Sequence, residues 1–483
     1  MLALFPINAW IAFPLLLISM LLASFLRSKK AKLLIIILMT SLLVAELISI
    51  YFSGGFIDYQ FYVNLNINDI IEGLAIFKLQ AVLAIFAFFA FLIVQFKLAN
   101  ILQEKLNILL RLVILVIAAL SLNYRHGPVD KLIEIYQVIS APKIPFTESL
   151  EKLNITNYPT KAQIETLAGK NIIVISLESF EQGFLGFGDI TPNLNQLTQK
   201  YTFYPNIPMA TGSSWTTASM YTYMTGMPFL VGGTNTTPLS DITKTHLVSL
   251  GDVLHKGGYQ TRYIIGSPTF AGIGHIISMF GIDVICEKNY LGEYPKAPFG
   301  LYDKDTFDIA KRQLGELSTS DKPFALFIST ISTHAPNGFY DKRMEPIIGQ
   351  KESDILFSAA SLDYNLSQFI HYLEQQGILE NTVFYIFPDH LMMGSGTQTI
   401  ANLSQKERFL YLLTNAKSAD IAENVQSTIY QIDLPRIILD GAKIKTNARF
   451  LTDYLDHNMD KKQFVIDHKS AIATINRSAG SAD

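Results

Sequence analysis

Three apolar stretches of this 483-residue sequence end in side chains that could bind a metal ion or transfer a proton. NIIVISLE ends at Glu178, FALFISTISTH ends at His334, and NTVFYIFPDH ends at Asp389 and His390. Carboxylate oxygens and imidazole nitrogens are ligands of divalent metals, and histidine is the commonest general acid or base near neutral pH. Each residue alone has an ordinary explanation, as a helix cap, a surface group or a loop hydrogen-bonder. Their common position at strand ends favours one shared site.

The segments that carry these residues are typical of an α/β fold. Short stretches that are apolar almost throughout predict strands buried on both faces of a parallel sheet. They cover 171–178, 259–266, 324–330 and 381–390. Helical patterns lie between them, over 192–200, 216–225, 247–257 and 353–376. The alternation predicts a largely parallel, doubly wound sheet, whose ligands bind beyond the carboxyl ends of the strands.

A turn of small residues precedes the second of these helices, in TGSSWTTASMYTYMTG over 211–226. Thr216 or Thr217 opens the helix. A threonine there has an ordinary use as a helix N-cap, and the segment alone favours that interpretation. Its chemical use would be as a nucleophile, stabilised by the helix dipole and a nearby cation, with free N–H groups ready for phosphate oxygens.

The composition separates a membrane part from a globular part. Hydrophobic residues make up 49% of the chain and charged residues 16%, whereas soluble proteins have about 25% charged residues. The apolar excess lies before residue 125. The 38 basic and 41 acidic residues give a net charge of −3, which excludes a nucleic-acid binder that relies on bulk positive charge. The single cysteine, Cys286, excludes intrachain disulfides, multi-thiolate zinc sites and CxxC redox chemistry.

Four apolar segments predict a transmembrane helical bundle. They are 4–26, 33–52, about 79–96, and Leu106 to Tyr124. The fourth requires Arg111 to snorkel toward one surface. A signal peptide fits the first segment poorly, because no basic residue precedes it and a second span follows at once. Glu46, the only charge in the second span, could belong to an ion path or lie near an interface.

The charges of the short loops predict the orientation. Basic residues follow the first and third spans, and acidic residues follow the second. The basic set is Arg27, Lys29, Lys30, Lys32, Lys97, Lys105 and Arg111, and the acidic set is Asp58, Asp69 and Glu72. The positive-inside rule then predicts a multi-pass protein of the cytoplasmic (inner) membrane, with its large domain on the extracytoplasmic, periplasmic side.

We expect four parts along the chain: a transmembrane domain over 1–125, a juxtamembrane linker over 126–168, a catalytic domain over 169–465 and a loose tail over 466–483. Apolar residues at helical spacing in VDKLIEIYQVIS suit either an amphipathic helix on the membrane surface or a plain linker helix. The tail loses this apolar period.

Taken together, the motifs resemble the alkaline-phosphatase/sulfatase superfamily. Their order is a strand ending in E-S-F, a G-x-x-W-T turn before a helix, a strand ending in S-T-H-x-P and a strand ending in D-H. Within it, the chain is most similar to membrane-anchored lipoteichoic acid synthases and periplasmic phosphoglycerol transferases, over about 165–455. Further shared marks are TPNLNQL, SLGDVLHKGGYQTRYI, SAASLDYNLSQFI and QIDLPRIILDGAKI.

The resemblance implies a sulfatase-like α/β domain that binds one divalent metal through Glu178, the Thr216 oxygen, Asp389 and His390. It selects Thr216 over Thr217 as the catalytic nucleophile. It also implies that His334 is catalytic and contacts the phosphate or the leaving group. Three oxygens and one imidazole suit a hard or borderline ion, so Mn²⁺ is expected first, with Mg²⁺ or Zn²⁺ next.

The sequence also departs from some of these relatives. The stretch 264–281 contains His275 but lacks the Trp and Arg that lipoteichoic acid synthases carry in a glycerol-phosphate pocket. Trp215 replaces their basic residue before the nucleophile. Both departures favour phosphoglycerol transferases of periplasmic glucans. One cysteine does not allow the disulfides usual in phosphoethanolamine transferases, and the C/S-x-P-x-R motif of true sulfatases is absent.

The resemblance therefore implies transfer of phosphoglycerol from a membrane phospholipid, phosphatidylglycerol, to a glycan or glycerol-phosphate acceptor through a covalent threonine intermediate. The alternatives within the superfamily are a phosphoethanolamine transferase and a phosphodiesterase or sulfatase-like hydrolase. An inactive membrane sensor or binding protein is the alternative of another class, and the presence of all five site residues argues against it. No nucleic-acid partner is expected.

Overall fold

The computed structural model divides the chain into two compact units. It describes residues 10, 12–65, 70–71, 73–74, 77–122, 127–231, 244–268, 272–335, 337–393, 403, 408–422, 428–456 and 458–481. One unit comprises Met1–Gln137 and Met393–Ala401, and the other comprises Val138–Met392 and Asn402–Asp483. We refer to them as the helical unit and the sheet unit.

Apolar helices form the helical unit. They are α1 (Pro14–Ser24), α2 (Lys29–Ser53), α3 (Tyr59–Val63), α4 (Lys78–Lys105), α5 (Ile108–Ser121) and α6 (Pro128–Ile139), the last of which ends just past the boundary. Among the described residues, α2 and α4 are long and apolar enough to cross a membrane, and α1 and α5 are apolar but shorter. Parts of the first and fourth predicted spans lie outside the described residues. The two long helices are consistent with a membrane anchor.

Two charged side chains of this unit have structural partners. Glu46 accepts a hydrogen bond from the backbone N–H of Ile57 at 2.9 Å, which fixes the turn after α2. Arg111 is buried among protein atoms, and it donates to the carbonyl oxygen of Ser24 at 2.6 Å. The last carbonyls of α1 lack partners within their helix, so a guanidinium there satisfies one of them and complements the helix dipole.

A seven-stranded sheet forms the centre of the sheet unit. The strands of the unit are β1 (Thr166–Leu167), β2 (Asn171–Leu177), β3 (Thr202–Ile207), β4 (Lys244–Thr245), β5 (Gln260–Ile264), β6 (Asp283–Ile285), β7 (Phe324–Ser329), β8 (Thr382–Pro388), β9 (Leu410–Thr414), β10 (Lys445–Thr446) and β11 (Gly480–Ser481). The large sheet has the order β3-β9-β8-β2-β7-β5-β6, and two short sheets pair β1 with β10 and β4 with β11.

This sheet confirms the predicted α/β class with one difference. Five strands, from β8 to β6 in the spatial order, are parallel. β9 is antiparallel to β8, and β3 is antiparallel to β9, so the sheet is mixed at one edge. The four predicted strands correspond to β2, β5, β7 and β8.

The register brings the ends of three strands side by side. Ser176 of β2 pairs with Ser329 of β7 and with Phe387 of β8. Because these strands are parallel, the residues that follow them emerge at one edge of the sheet. Glu178, His334 and Asp389 all follow strands at this edge.

The described part of the unit also contains twelve α-helices. They are α7 (Phe146–Glu151), α8 (Pro192–Lys200), α9 (Thr216–Thr225), α10 (Leu250–Lys256), α11 (Ile273–Met279), α12 (Asp303–Leu317), α13 (Glu345–Ile348), α14 (Asp354–Gln375), α15 (Ser418–Ala422), α16 (Leu434–Gly441), α17 (Lys461–Asp467) and α18 (Lys469–Ala479). The four predicted helices correspond to α8, α9, α10 and α14. Local signals account for two of their ends: Ser249 and Asp252 form a capping box at the start of α10, and Gly226 ends α9 in the left-handed conformation.

The prediction of a loose tail after residue 466 is wrong for the described residues. α18 buries Ile472 and Ile475 fully. The amide of Asn476 donates to the carbonyl oxygens of Pro228 and Leu230, both at 2.8 Å, and its oxygen accepts from the Tyr221 hydroxyl at 3.0 Å. The sequence shows no clear apolar period here, because much of the buried face of this helix consists of small and polar residues.

Candidate active site

Glu178 leaves the sheet directly after β2 and is fully buried. Two threonines of the STISTH segment hold its backbone. Thr330 Oγ1 accepts the N–H of Glu178 at 2.9 Å, and the Thr333 hydroxyl donates to the carbonyl oxygen of Glu178. The loop after β7 therefore positions a carboxylate of the neighbouring strand.

Asp389 and His390 follow β8, beside the end of β2. The N–H of Asp389 donates to the carbonyl oxygen of Leu177 at 3.0 Å. Ser179 connects the two strand ends: its N–H donates to Asp389 Oδ1 and its hydroxyl to Glu178 Oε1, both at 2.8 Å. Ser179 has a φ of 53°, a left-handed conformation that is uncommon for a residue with a side chain. One residue in a strained conformation, Ser179, therefore donates to both carboxylates.

Glu178, Asp389 and His390 form a buried group that could hold a metal ion, with their ligand atoms within 4.8 Å of one another. His390 Nδ1 lies 2.9 Å from the carbonyl oxygen of Leu391, so it carries the proton and leaves a lone pair on Nε2. Nε2 lies 3.5 Å from Glu178 Oε1 and 3.6 Å from Asp389 Oδ2, and among the described residues it makes no hydrogen bond. An orphaned nitrogen that faces two carboxylates fits a divalent cation.

The electrostatics of this group favour the same occupant. Burial and the nearby Glu178 carboxylate raise the pKa of Asp389 to about 7. Burial lowers the pKa of His390, but the charges of Asp389 and Glu178 outweigh it, so the pKa is raised overall. Two buried carboxylates repel each other, and a bound cation would offset that repulsion.

Thr216 is the first residue of α9, and its hydroxyl faces this group. Trp215 before it is extended, with φ −146° and ψ 162°, as is usual for the residue before a helix. The Thr216 hydroxyl donates to Glu178 Oε2 at 2.9 Å. Thr216 is partly accessible, whereas Thr217 is 1% exposed. Of the two threonines that the sequence left open, Thr216 is therefore the one in contact with the carboxylate.

His334 follows β7 and packs against two aromatic rings that also contact each other. Phe299 is tilted against the imidazole with ring centroids 4.9 Å apart, and Phe339 stacks on it at 6.0 Å. Nδ1 lies 2.7 Å from the carbonyl oxygen of Ala335, so it carries the proton and Nε2 has a free lone pair. Burial lowers the pKa of His334 to about 4. The imidazole is neutral at pH 7 and can accept a proton.

Asp303 is a supporting residue that the sequence analysis missed. This buried first residue of α12 accepts the N–H groups of Ile331 and Ser332 at Oδ1, at 2.7 and 3.0 Å. It thereby holds the loop that carries His334. The available signal was an acidic pair at the start of an amphipathic helical pattern, in YDKDTF.

An ion pair between the buried Glu181 and the partly buried Arg408 supports the same edge of the sheet. Arg408 Nε donates to both oxygens of Glu181, at 2.8 and 2.9 Å, and Glu181 also accepts the N–H of Met392 at 2.8 Å. The pair joins the loop after Glu178 to the loop after His390. Its pairing leaves Glu181 outside the metal-capable group.

Two other residues named from the sequence have different places. Trp215 is buried and packs edge-on against Phe229, with ring centroids 5.5 Å apart. This packing fixes the backbone just before Thr216, the first residue of α9. His275 lies in α11 and is not part of the described metal-capable group.

The comparisons with known proteins agree with this geometry. The sulfatase family model matches residues 170–444. Phosphoglycerol transferase I of Xanthomonas campestris pv. campestris is 28% identical over 260 residues, which cover 50% of this chain and 37% of that protein. The same enzyme of Citrobacter koseri is 25% identical over 262 residues, covering 50% and 34%. This chain thus spans about a third of the length of the curated relatives it matches.

A solved structure extends the likeness to most of the chain. The integral membrane protein lipooligosaccharide phosphoethanolamine transferase A of Neisseria meningitidis aligns with a TM-score of 0.53 and 12% identity, over 89% of this chain and 88% of that one. At this identity the alignment supports a shared fold. The family match covers the seven-stranded sheet and all five residues predicted for the site, and it confirms the resemblance drawn from the motifs. The chain belongs to the sulfatase family.

Proposed function

We propose that this protein is a metal-dependent phosphotransferase that moves a phosphoglycerol group from phosphatidylglycerol to an acceptor hydroxyl on a glycan or a glycerol phosphate. The observation that carries the proposal is the contact of the Thr216 hydroxyl with Glu178, at a helix N-terminus beside the buried Asp389 and His390. Helix N-termini bind phosphate oxygens, and a hydroxyl at that position can act as a nucleophile. The similarity to phosphoglycerol transferases I supports the choice of the transferred group.

Glu178, Asp389, His390 and the Thr216 oxygen would hold one divalent ion. The set of oxygens with one imidazole favours Mn²⁺, with Mg²⁺ or Zn²⁺ as alternatives. When bound, the ion would supply the positive charge that stabilises a threonine alkoxide and the phosphate oxygens.

The chain's own residues then account for the two transfers. In the first, the Thr216 oxygen bonds to phosphorus, the bond from phosphorus to diacylglycerol breaks, and the proton that Thr216 loses balances the one that diacylglycerol gains. In the second, the acceptor oxygen bonds to phosphorus, the threonine–phosphorus bond breaks, and the acceptor's proton balances the one regained by Thr216. We assign the proton transfers to His334, because its neutral imidazole has a free lone pair on Nε2.

We also propose that four spans anchor the protein in the cytoplasmic membrane, with the sheet unit on the periplasmic side. Two long apolar helices support this orientation, together with the basic residues before α2 and those at and after the end of α4. Such an anchor would keep the site near a lipid substrate that does not leave the bilayer.

The test uses the full chain in lipid nanodiscs that contain fluorescent phosphatidylglycerol, with Mn²⁺ added. We expect release of diacylglycerol by the wild type and none by Thr216→Ala. Phosphatidylethanolamine in place of phosphatidylglycerol tests the head group. Appearance of the phosphoglycerol on an added glycan, rather than as free glycerol phosphate, separates a transferase from a hydrolase. Lack of diacylglycerol release from either lipid by the wild type would contradict the proposal.

A further inference from the structure

Gln431 is a fully buried amide in the QIDLP segment just before α16. Its Nε2 donates to the carbonyl oxygen of Asp389 at 2.8 Å and to Ser219 Oγ at 3.0 Å. Its Oε1 accepts the N–H of Ala210 at 2.8 Å. Both donor protons and one lone pair of the oxygen are therefore used, so neither polar atom of this buried amide lacks a hydrogen bond.

These bonds connect the two parts of the candidate site. Ser219 lies one helical turn after Thr216 in α9, and its hydroxyl also donates to the carbonyl oxygen of Asp389, at 2.6 Å. Two donors thus occupy the two lone pairs of that carbonyl. On its other side, the N–H of Asp389 donates to Leu177 of β2. The backbone of Asp389 is consequently fixed between the sheet and the helix that begins with Thr216.

Gln431 also holds the approach to this helix. Ala210, whose N–H it binds, precedes the turn that leads to Thr216. A single side chain therefore contacts the start of the turn and the first turn of the helix, both more than 200 residues before it, and the strand end, 42 residues before it.

We propose that Gln431 is a positioning residue, which sets the distance of the Thr216 hydroxyl from Glu178, Asp389 and His390. The effect of Gln431 on turnover rests on the proposed function. Its effect on metal binding does not depend on the identity of the substrate. Partners of metal ligands typically change metal affinity or activity by about 10- to 100-fold when they are removed.

Gln431→Glu isolates the donor side of the amide. The carboxylate retains an acceptor for the N–H of Ala210 but places an acceptor oxygen against the carbonyl of Asp389. Gln313→Glu is the matched control. Gln313 is also buried, its Nε2 donates to the Tyr290 hydroxyl at 2.9 Å, and its Oε1 accepts from Arg262. Neither partner of Gln313 belongs to the candidate site.

The experiment measures Mn²⁺ affinity by calorimetry, thermal unfolding, and kcat and KM for phosphatidylglycerol, all with the full chain. For Gln431→Glu we expect Mn²⁺ affinity and kcat to fall by about 10- to 100-fold, with KM within about twofold of wild type. Gln313→Glu should retain both values, because its carboxylate can still accept from Arg262 and from the Tyr290 hydroxyl. If Gln431→Glu does not fold, Ser219→Ala removes the other donor to Asp389 at a small change in volume and should show the same pattern.

The outcomes separate this proposal from the proposed function. A wild type that binds Mn²⁺ but leaves phosphatidylglycerol intact, with weaker binding in Gln431→Glu, would contradict the function and support the positioning role. Another outcome is that the wild type is active while Gln431→Glu and Ser219→Ala lose no more Mn²⁺ affinity and kcat than Gln313→Glu does. That result would overturn the positioning role and leave the function in place. A wild type that binds no metal overturns both.

Discussion

Ser179 donates its backbone N–H to Oδ1 of Asp389 at 2.8 Å, although 210 positions separate the two residues. The Ser179 hydroxyl donates to Glu178 at the same time. This residue adopts a positive φ, which costs a residue other than glycine about 1–3 kcal/mol unless the surroundings enforce it. The strained conformation thus coincides with the point where the two buried carboxylates are held together.

Substitutions at Ser179 should separate the backbone conformation from the hydroxyl. Ser179→Gly keeps the left-handed conformation and the N–H bond to Asp389, and it loses the hydroxyl's bond to Glu178 and its longer contact, 3.5 Å, with Nδ1 of His390. Ser179→Val adds a β-branched side chain that this conformation disfavours, so we expect a loss of about 2 kcal/mol in the free energy of unfolding. Mn²⁺ affinity should fall more in Ser179→Val than in Ser179→Gly. Chemical unfolding and Mn²⁺ titration measure the two effects. If Ser179→Val and Ser179→Gly lose equal amounts of stability and of Mn²⁺ affinity, the backbone conformation has no special role.

Removal of the metal should destabilise the wild type but not Asp389→Asn. A ligand that binds only the folded state stabilises it, by about 2.7 kcal/mol at a concentration of 100 times its Kd. The substitution removes a ligand together with the repulsion between two buried carboxylates, while its amide oxygen can still accept the N–H of Ser179. We therefore expect a chelator to lower the unfolding temperature of the wild type and to leave that of Asp389→Asn unchanged.

Asp433→Asn provides the control for a buried carboxylate outside the metal group. Asp433 pairs with Lys461, with oxygen–nitrogen distances of 2.8 and 2.9 Å. This variant should be less stable than the wild type with or without metal, but it should keep the full shift on chelation. A chelator effect that survives in Asp389→Asn would place the metal elsewhere.

The strand ends favoured one shared site for Glu178, His334, Asp389 and His390, because parallel strands end at one edge of a sheet. The assignment of Glu178, Thr216, Asp389 and His390 as ligands of one metal came from the resemblance to the superfamily. β3 was missed because it contains Pro205, which disfavours a strand assignment and is tolerated at the sheet edge where β3 lies. Gln431 and Asp303 were missed for another reason. Their roles depend on contacts between distant segments, and a buried amide or carboxylate has no local pattern that distinguishes it from an exposed one.

The low pKa of His334 makes a prediction for stability at acid pH. Its pKa is about 4 in the folded protein and near 6.5 when unfolded, so the unfolded chain binds more protons between these values. The stabilisation is present above about pH 6.5 and is lost as the pH falls toward 4. Unfolding temperatures between pH 7.5 and pH 4.5 should decrease more steeply for the wild type than for His334→Asn. Parallel curves would indicate that His334 is not buried as a neutral imidazole.

The apolar face of α6 should lie in lipid, which would decide between a surface-bound helix and a plain linker. Val129, Leu132, Ile133 and Tyr136 follow the spacing of one helix face and are 41–67% exposed. In a Cys286→Ser background, a fluorophore on Leu132→Cys should be quenched by spin-labelled lipid and protected from iodide. Glu134→Cys, on another face, should show the reverse. If iodide quenches the fluorophore at both positions and spin-labelled lipid quenches neither, α6 is a plain linker helix.

The choice of nucleophile gives the sharpest test of the site. The Thr216 hydroxyl reaches Glu178 at 2.9 Å, and neighbouring residues of a helix point about 100° apart, so Thr217 is directed away from that carboxylate. Thr216→Ala should abolish lipid turnover and leave the unfolding temperature nearly unchanged. Thr217→Ala removes a buried hydroxyl, so it should cost about 1 kcal/mol of stability and keep most of the activity. After incubation with labelled phosphatidylglycerol, peptide mapping should place the glycerophosphate on Thr216. An adduct on Thr217, or full activity in Thr216→Ala, would overturn the assignment.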